Sequence, residues 1–234
     1  MDTLKAVSAQ LVLNVGLREV NTVANFYGNS QIVADLRASL QQNGHSFIYL
    51  WGEAHCGRTH LAQAYCQLAE QLGLTSMYLP LRDMISYSPT IFDSLENYSV
   101  LVLEDIESLV AHPEWEEALF HLYNRGLAAQ QHLLITANCA PAQLAIQLPD
   151  LLSRLKSAVI FKLKSLNEQE KLAALTTRAN ERGWQLPIEV GEFLLRRWPR
   201  DLDALFAALE KLDQASLQQQ RRVTIPLAKD VLGL

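Results

Sequence analysis

Five short runs of apolar, β-favouring residues punctuate the chain up to residue 163: Phe47–Trp51, Ser76–Leu79, Val100–Leu103, Leu133–Thr136 and Val159–Leu163. Stretches with helical spacing lie between them, at Leu61–Leu72, Pro113–Ala129 and Pro149–Leu155. In Pro113–Ala129 the apolar set Trp115, Ala118, Leu119, Leu122 and Tyr123 recurs at i, i+3 and i+4, which marks one face of a helix. Strands that are apolar throughout and alternate with helices predict a parallel sheet covered on both faces, an α/β domain.

After Leu163 the pattern changes to helices alone. Ser165 with Glu168 three residues on predicts a capping box that opens a helix through Lys171, Leu172 and Leu175. Gly183 ends it, and Pro187 stands where a first helical residue would be, ahead of Val190, Phe193, Leu194 and Leu195. A third helix from Asp201 carries Leu202, Leu205, Phe206, Leu209 and Leu212, and Pro226 starts a short last one. The expected organisation is an N-terminal arm over residues 1–20, a nucleotide-binding α/β core over 21–164 opening with a helix at Gln31–Gln42, and a small all-α lid over 165–234.

Composition narrows the class only modestly. Hydrophobic residues make up 49% and charged residues 19%, as in folded soluble proteins and unlike disordered ones. The net charge of −5, without a long basic run, argues against nucleic acid as the principal ligand. Cys56, Cys66 and Cys139 form no short-spaced pair, so no disulfide or metal framework is predicted, and a reducing, cytoplasmic setting is expected. Met1–Val15 has no sustained apolar run and reads as neither a signal peptide nor a membrane anchor.

The chemistry begins after the first strand. Gly52-Glu53-Ala54-His55-Cys56-Gly57-Arg58-Thr59 fits the pattern G-x-x-x-x-G-[KR]-[ST] between an apolar strand and an amphipathic helix. Such a turn lets backbone N–H groups and the helix N-terminus converge on phosphate oxygens. Gly52, Cys56, Gly57, Arg58, Thr59 and His60 are the candidate cofactor-binding residues, and the Thr59 hydroxyl is suited to hold Mg²⁺. Arg58 stands where a working phosphate loop carries lysine; a guanidinium keeps the charge but is larger and planar, which questions hydrolysis more than binding. Val100–Leu103 ends in Glu104 and Asp105, where one carboxylate can hold Mg²⁺ (Glu104) and the other can polarise water (Asp105). Leu133–Thr136 leads through Ala137 to Asn138, a strand-end side chain able to orient an attacking water.

These pieces, followed by a helical bundle, occur in the order of the AAA+ fold. Within it the chain resembles the DnaA-related family, and most closely the short Hda-type regulatory inactivators of DnaA. The resemblance is carried by Tyr49-Leu50-Trp51-Gly52, Phe120-His121-Leu122-Tyr123-Asn124-Arg125, Leu148-Pro149-Asp150-Leu151-Leu152-Ser153-Arg154-Leu155 and Thr224-Ile225-Pro226-Leu227-Ala228-Lys229. It implies that Arg154 is an arginine finger acting in a neighbour's nucleotide site; a local pair with Asp150 is the structural alternative. The family's sensor arginine falls on Asp203, leaving Arg200, one turn earlier, as a substitute cofactor contact. The segment Gln10-Leu11-Val12-Leu13-Asn14-Val15 resembles the peptide by which such proteins dock on the DNA sliding clamp, with Gln10, Leu11, Leu13 and Val15 as contacts.

The implied function is a negative regulator of replication initiation. Docked on the clamp (the polymerase III beta subunit) and holding ADP or ATP with Mg²⁺, it would promote hydrolysis of DnaA-bound ATP. Because the chain ends at Leu234 without a helix-turn-helix domain, sequence-specific DNA binding is not expected; a homo-oligomer is possible. Two other readings stay open: a self-acting ATPase of clamp-loader or helicase-loader type, and a clamp-binding adaptor with a degenerate nucleotide pocket.

Overall fold

The computed structural model describes residues 21–42 and 44–234; the clamp-peptide expectation, Gln10 to Val15, lies outside the described residues. Five parallel strands, β1 (Phe47–Trp51), β2 (Ser76–Pro80), β3 (Val100–Glu104), β4 (His132–Ala137) and β5 (Val159–Lys162), form one sheet in the order β2-β3-β4-β1-β5. β1 is hydrogen-bonded on both sides, with Phe47 opposite Leu133 and Trp51 opposite Ala137 on β4, and Ile48 opposite Val159 on β5. The chain leaves β1 for β2 at one edge and leaves β4 for β5 at the other. The crevice at the carboxyl ends of β1 and β4 is where ligands bind in open parallel sheets.

Helices cover both faces because alternate residues of each strand point opposite ways. On one face Tyr49, Leu101, Leu103 and Ile135 pack against α4 (Pro113–Ala128) and α5 (Pro149–Ser157), through Trp115, Leu119, Leu122, Leu151 and Leu155. On the other, Ile48, Leu50, Val102 and Leu134 meet α1 (Ser30–Gln41) and α2 (Arg58–Gln71), through Leu36, Leu40, Leu61, Tyr65 and Leu68. A one-turn helix, α3 (Leu81–Met84), follows β2. It is too short for periodicity to reveal.

The lid comprises α6 (Glu168–Glu181), α7 (Ile188–Arg197), α8 (Leu202–Gln219) and α9 (Ile225–Leu232). Its own core joins Leu175, Val190, Leu194, Leu205, Leu209, Leu212 and Ala228. Two expected helix starts are corrected. The capping box of α6 is Asn167 with Glu170, not Ser165 with Glu168: Asn167 Oδ1 accepts from Glu170 N at 2.9 Å, and Glu170 Oε2 accepts from Asn167 N at 2.8 Å. The shift follows from the hinge. Asn29 holds Lys164 by a reciprocal pair, Nδ2 to Lys164 O and Lys164 N to Oδ1, each 3.0 Å, and Leu166 packs onto Gly28. Pro187 caps α7 from outside as its N-cap rather than opening it as its first residue. No helix among the described residues is long and apolar enough to cross a membrane.

The lid core is small, so a single deletion in it is costly. Leu209→Ala removes a side chain that is 1% exposed and should destabilise the protein by about 2–5 kcal/mol. The check is urea unfolding followed by tryptophan fluorescence, with Trp184 and Trp198 against that cluster as reporters.

Candidate functional site

The turn after β1 is built by glycines where side chains do not fit. Gly57 sits at φ +93°, and a Cβ there would lie 2.8 Å from the Phe26 ring; a Cβ on Gly52 would meet Cys56 Sγ at 2.6 Å and Leu163 O at 2.9 Å. Gly57 is the N-cap of α2, and Leu61 N bonds back to Gly57 O at 3.0 Å. The N–H groups ahead of Leu61, on Arg58, Thr59 and His60, therefore have no helical carbonyl to bond and face out of a fourteen-residue helix. That arrangement fits an anion.

Arg58 does not extend away from this turn. Its Nη1 donates to the carbonyl of Gly52 and, at 3.2 Å, to that of Glu53, while Nη2 lies 3.5 Å from Asp105 Oδ1. Asp105 Oδ2 is taken by Arg82 of α3 at 3.2 Å. Both carboxylate oxygens of Asp105 thus face guanidinium groups. The backbone at Asp105 is left-handed (φ 57°), and its N–H donates to Thr136 Oγ1 at 3.2 Å, tying the ends of β3 and β4 together.

Glu104 takes a different role. It is 5% exposed, and its carboxylate accepts the Thr59 hydroxyl on one oxygen and the Tyr78 hydroxyl on the other. The two residues expected to hold a cation are therefore in contact. Burial, reinforced by the Glu104 charge, raises the Tyr78 hydroxyl pKa far above its ordinary value, so it stays a donor. No group of three or more His, Cys, Asp or Glu side chains among the described residues could hold a metal unaided.

A cleft opens beside the turn. It is walled by Phe26 and Tyr27 ahead of α1, by Glu53 and residues 55–60, and by Lys171, Asp201, Leu202, Asp203 and Phe206 of the lid. Phe26, Tyr27 and Phe206 give it apolar walls, and the turn and Lys171 polar ones, a mix that suits a small organic anion. His60 belongs to the side wall: its Nε2–H donates to Thr22 O at 3.0 Å, and its ring meets Phe26 edge-on at 5.3 Å. Burial lowers its pKa, which favours the neutral imidazole.

Not every expected site residue joins this cleft. Arg200 turns outward to pair with Glu168 at 3.2 Å, and Asp203 lines the wall where a sensor arginine was looked for. The lid cation that does line the cleft is Lys171, whose Nζ donates to Arg200 O at 2.8 Å. A lysine on an amphipathic helix carries no signal of its own in the sequence; only the packing of the lid turns it inward. Asn138 follows β4 directly and is exposed. Near it lies Glu107, also missed, whose carboxyl pKa is raised by burial and by the Asp105 charge, against the pull of Arg58.

Arg154 lies elsewhere. It stands in the last turn of α5, exposed, with its guanidinium 5.7 Å from the centre of the Tyr123 ring. Among the described residues it forms no salt bridge with Asp150 or any other acid. Tyr123 in turn packs against Phe47, ring centres 5.0 Å apart. Phe47 opens β1 and Gly52 follows its last residue, so Arg154 and the phosphate turn stand at opposite ends of one strand.

Comparison with known proteins agrees with this architecture. Residues 168–232 match the family model described as the Hda lid domain. Domain III of the Thermotoga maritima replication initiation protein DnaA is similar in fold, with a TM-score of 0.74 at 22% identity over 91% of this chain and 95% of that one. DnaA from Aquifex aeolicus, bound to AMPPCP, gives 0.71 at 19% identity over 88% of this chain and 69% of that one. A single-substitution form of Thermotoga maritima RuvB gives 0.69 at 16% over 93% and 72%. Residues 168–232 thus carry the match to an Hda lid, and they follow a core similar in fold to those of DnaA and RuvB.

Proposed function

We propose that the chain is a nucleotide-holding regulator whose catalytic contribution is made in a partner's site. The observation that carries this reading is the separation of its two charged centres. Arg58 and Asp105, the pair that would drive chemistry at its own phosphate turn, are engaged with each other and with the loop. Arg154 is exposed and, among the described residues, free of acidic partners, at the far end of β1. An arginine so placed cannot serve its own cleft, yet it can enter a neighbour's.

In this reading the nucleotide is ADP, or ATP, as a conformational switch. The N–H groups at the start of α2 would bind its phosphates, and Thr59 with Glu104 would hold Mg²⁺, which would supply charge neutralisation. Lys171 rather than Arg200 brings the lid's positive charge to the phosphates, and offsets Asp203. Phe26 and His60, which line the cleft, would offer ring faces to the base. Partner and target are DnaA and its bound ATP, where Arg154 stabilises the charge that develops on the transferring phosphoryl group. Docking on the sliding clamp through Gln10, Leu11, Leu13 and Val15 brings the protein to the initiator.

A second reading rests on one observation, the contact between Thr59 and Glu104, which is also what a self-acting ATPase needs. Turnover by the isolated protein separates the two: a robust intrinsic rate would sink the regulator reading.

Arg154→Ala should lower clamp-dependent ATP turnover by DnaA on the order of 10³-fold while leaving ADP affinity unchanged, and an intact stimulation would refute the finger assignment. Lys171→Met should weaken ADP binding roughly fivefold to tenfold through loss of a charge-assisted contact, whereas Arg200→Ala should change it less than about twofold. Isothermal titration with ADP and Mg²⁺ measures both, and the reverse ranking would return the lid contact to Arg200.

A further inference from the structure

One buried carboxylate has no part in the phosphate turn. Glu116, in the first turn of α4, is 1% exposed, and its Oε2 accepts two backbone N–H groups, from Gln147 and Leu148, each at 2.8 Å. Leu148 is the N-cap of α5, the helix that carries Arg154. A carboxyl oxygen that accepts two N–H groups at a helix start is a directional anchor, aided by the helix dipole, while the other oxygen, Oε1, is buried without a hydrogen-bond partner. A carboxyl group is costly to bury unless such bonds are made.

Seven residues further along α4, two helical turns on, stands Tyr123. Its ring faces the Arg154 guanidinium at 5.7 Å and is backed by Phe47 of β1. So α4 grips α5 at both ends, at its first N–H groups through Glu116 and at its last-turn arginine through Tyr123. The long, flexible side chain of Arg154 has no ion pair among the described residues to fix it. Its direction depends on these two contacts.

We infer that Glu116 and Tyr123 are positioning residues for Arg154: Glu116 sets the start and tilt of α5, and Tyr123 holds the guanidinium aimed outward toward a neighbouring subunit. This rests on the reading of Arg154 as a finger acting in trans, and it assigns the aim of the finger to α4. A finger displaced by about 1 Å loses much of its effect on the transition state without losing the surface that docks the partner. The signature is therefore a fall in maximal rate at an unchanged half-saturating concentration.

The test uses the full chain with DnaA, ATP and the DNA-loaded clamp, and compares Glu116→Ala, Glu116→Gln, Tyr123→Leu and Arg154→Ala. Stimulated kcat should fall on the order of tenfold to a hundredfold for Glu116→Ala and severalfold for Tyr123→Leu. The concentration of this protein giving half-maximal stimulation, and its ADP affinity, should not move. Glu116→Gln should restore most of the rate, because the amide oxygen still accepts both N–H groups. Hydrogen exchange at Leu148 and through α5 should rise in Glu116→Ala and not in α2. If Arg154→Ala abolishes stimulation while Glu116→Ala and Tyr123→Leu keep the wild-type rate, the positioning role is wrong and the finger stands. If Arg154→Ala itself is silent, the finger reading fails and this inference falls with it. Should Glu116→Ala not fold, Tyr123→Leu, whose packing on Phe47 is largely kept, decides alone.

Discussion

The two-sided hydrogen bonding of β1 is the constraint on which the rest depends. A strand bonded to β4 on one side and β5 on the other, with Tyr49 and Leu50 wholly buried, has no freedom to slide or tilt. Its carboxyl end therefore delivers Gly52 to one fixed place, beside the ends of β3 and β4. Its amino end delivers Phe47 to another, beneath Tyr123. The phosphate turn and the surface that carries Arg154 are set at the two ends of five residues.

At the carboxyl end the charges are arranged in closed circuits. Arg58 bonds its own turn and pairs with Asp105, Arg82 pairs with the other oxygen of Asp105, and Thr59 and Tyr78 each donate to Glu104. Each of these carboxylates is already answered by a neighbour in the chain. A loop wired this way keeps its shape at little cost, since its buried charges are paired.

Much of this was legible because parallel strands covered on both faces leave unbroken apolar runs. Those runs sit where the strands do, and the glycines of the phosphate turn mark a backbone only glycine allows. Other parts had no local mark. Glu116 reads in sequence as an acid in a helix's first turn, favoured there by the dipole, and its partners lie 31 and 32 residues away. Ser165 with Glu168 and Asn167 with Glu170 are overlapping boxes of equal local merit; Asn29, 135 residues from Lys164, decides between them. Arg200 and Lys171 are two cations near the same cleft, and only the path of α6 against α8 determines which one faces it. Long-range packing resolved each ambiguity that spacing left.

The Asn29–Lys164 pair has a mechanical meaning as well. It joins the stretch that enters the core ahead of α1 to the hinge from which the lid hangs, and Tyr27, two residues before Asn29, lies against Phe206 of α8 with ring centres 5.9 Å apart. Ahead of that pair, Asn21 donates to Gln63 at 2.8 Å and Thr22 O accepts from His60 at 3.0 Å, so the same stretch is also fastened to α2. The stretch ahead of α1 thus fastens the lid and the helix of the phosphate turn to each other, so one wall of the cleft belongs to neither.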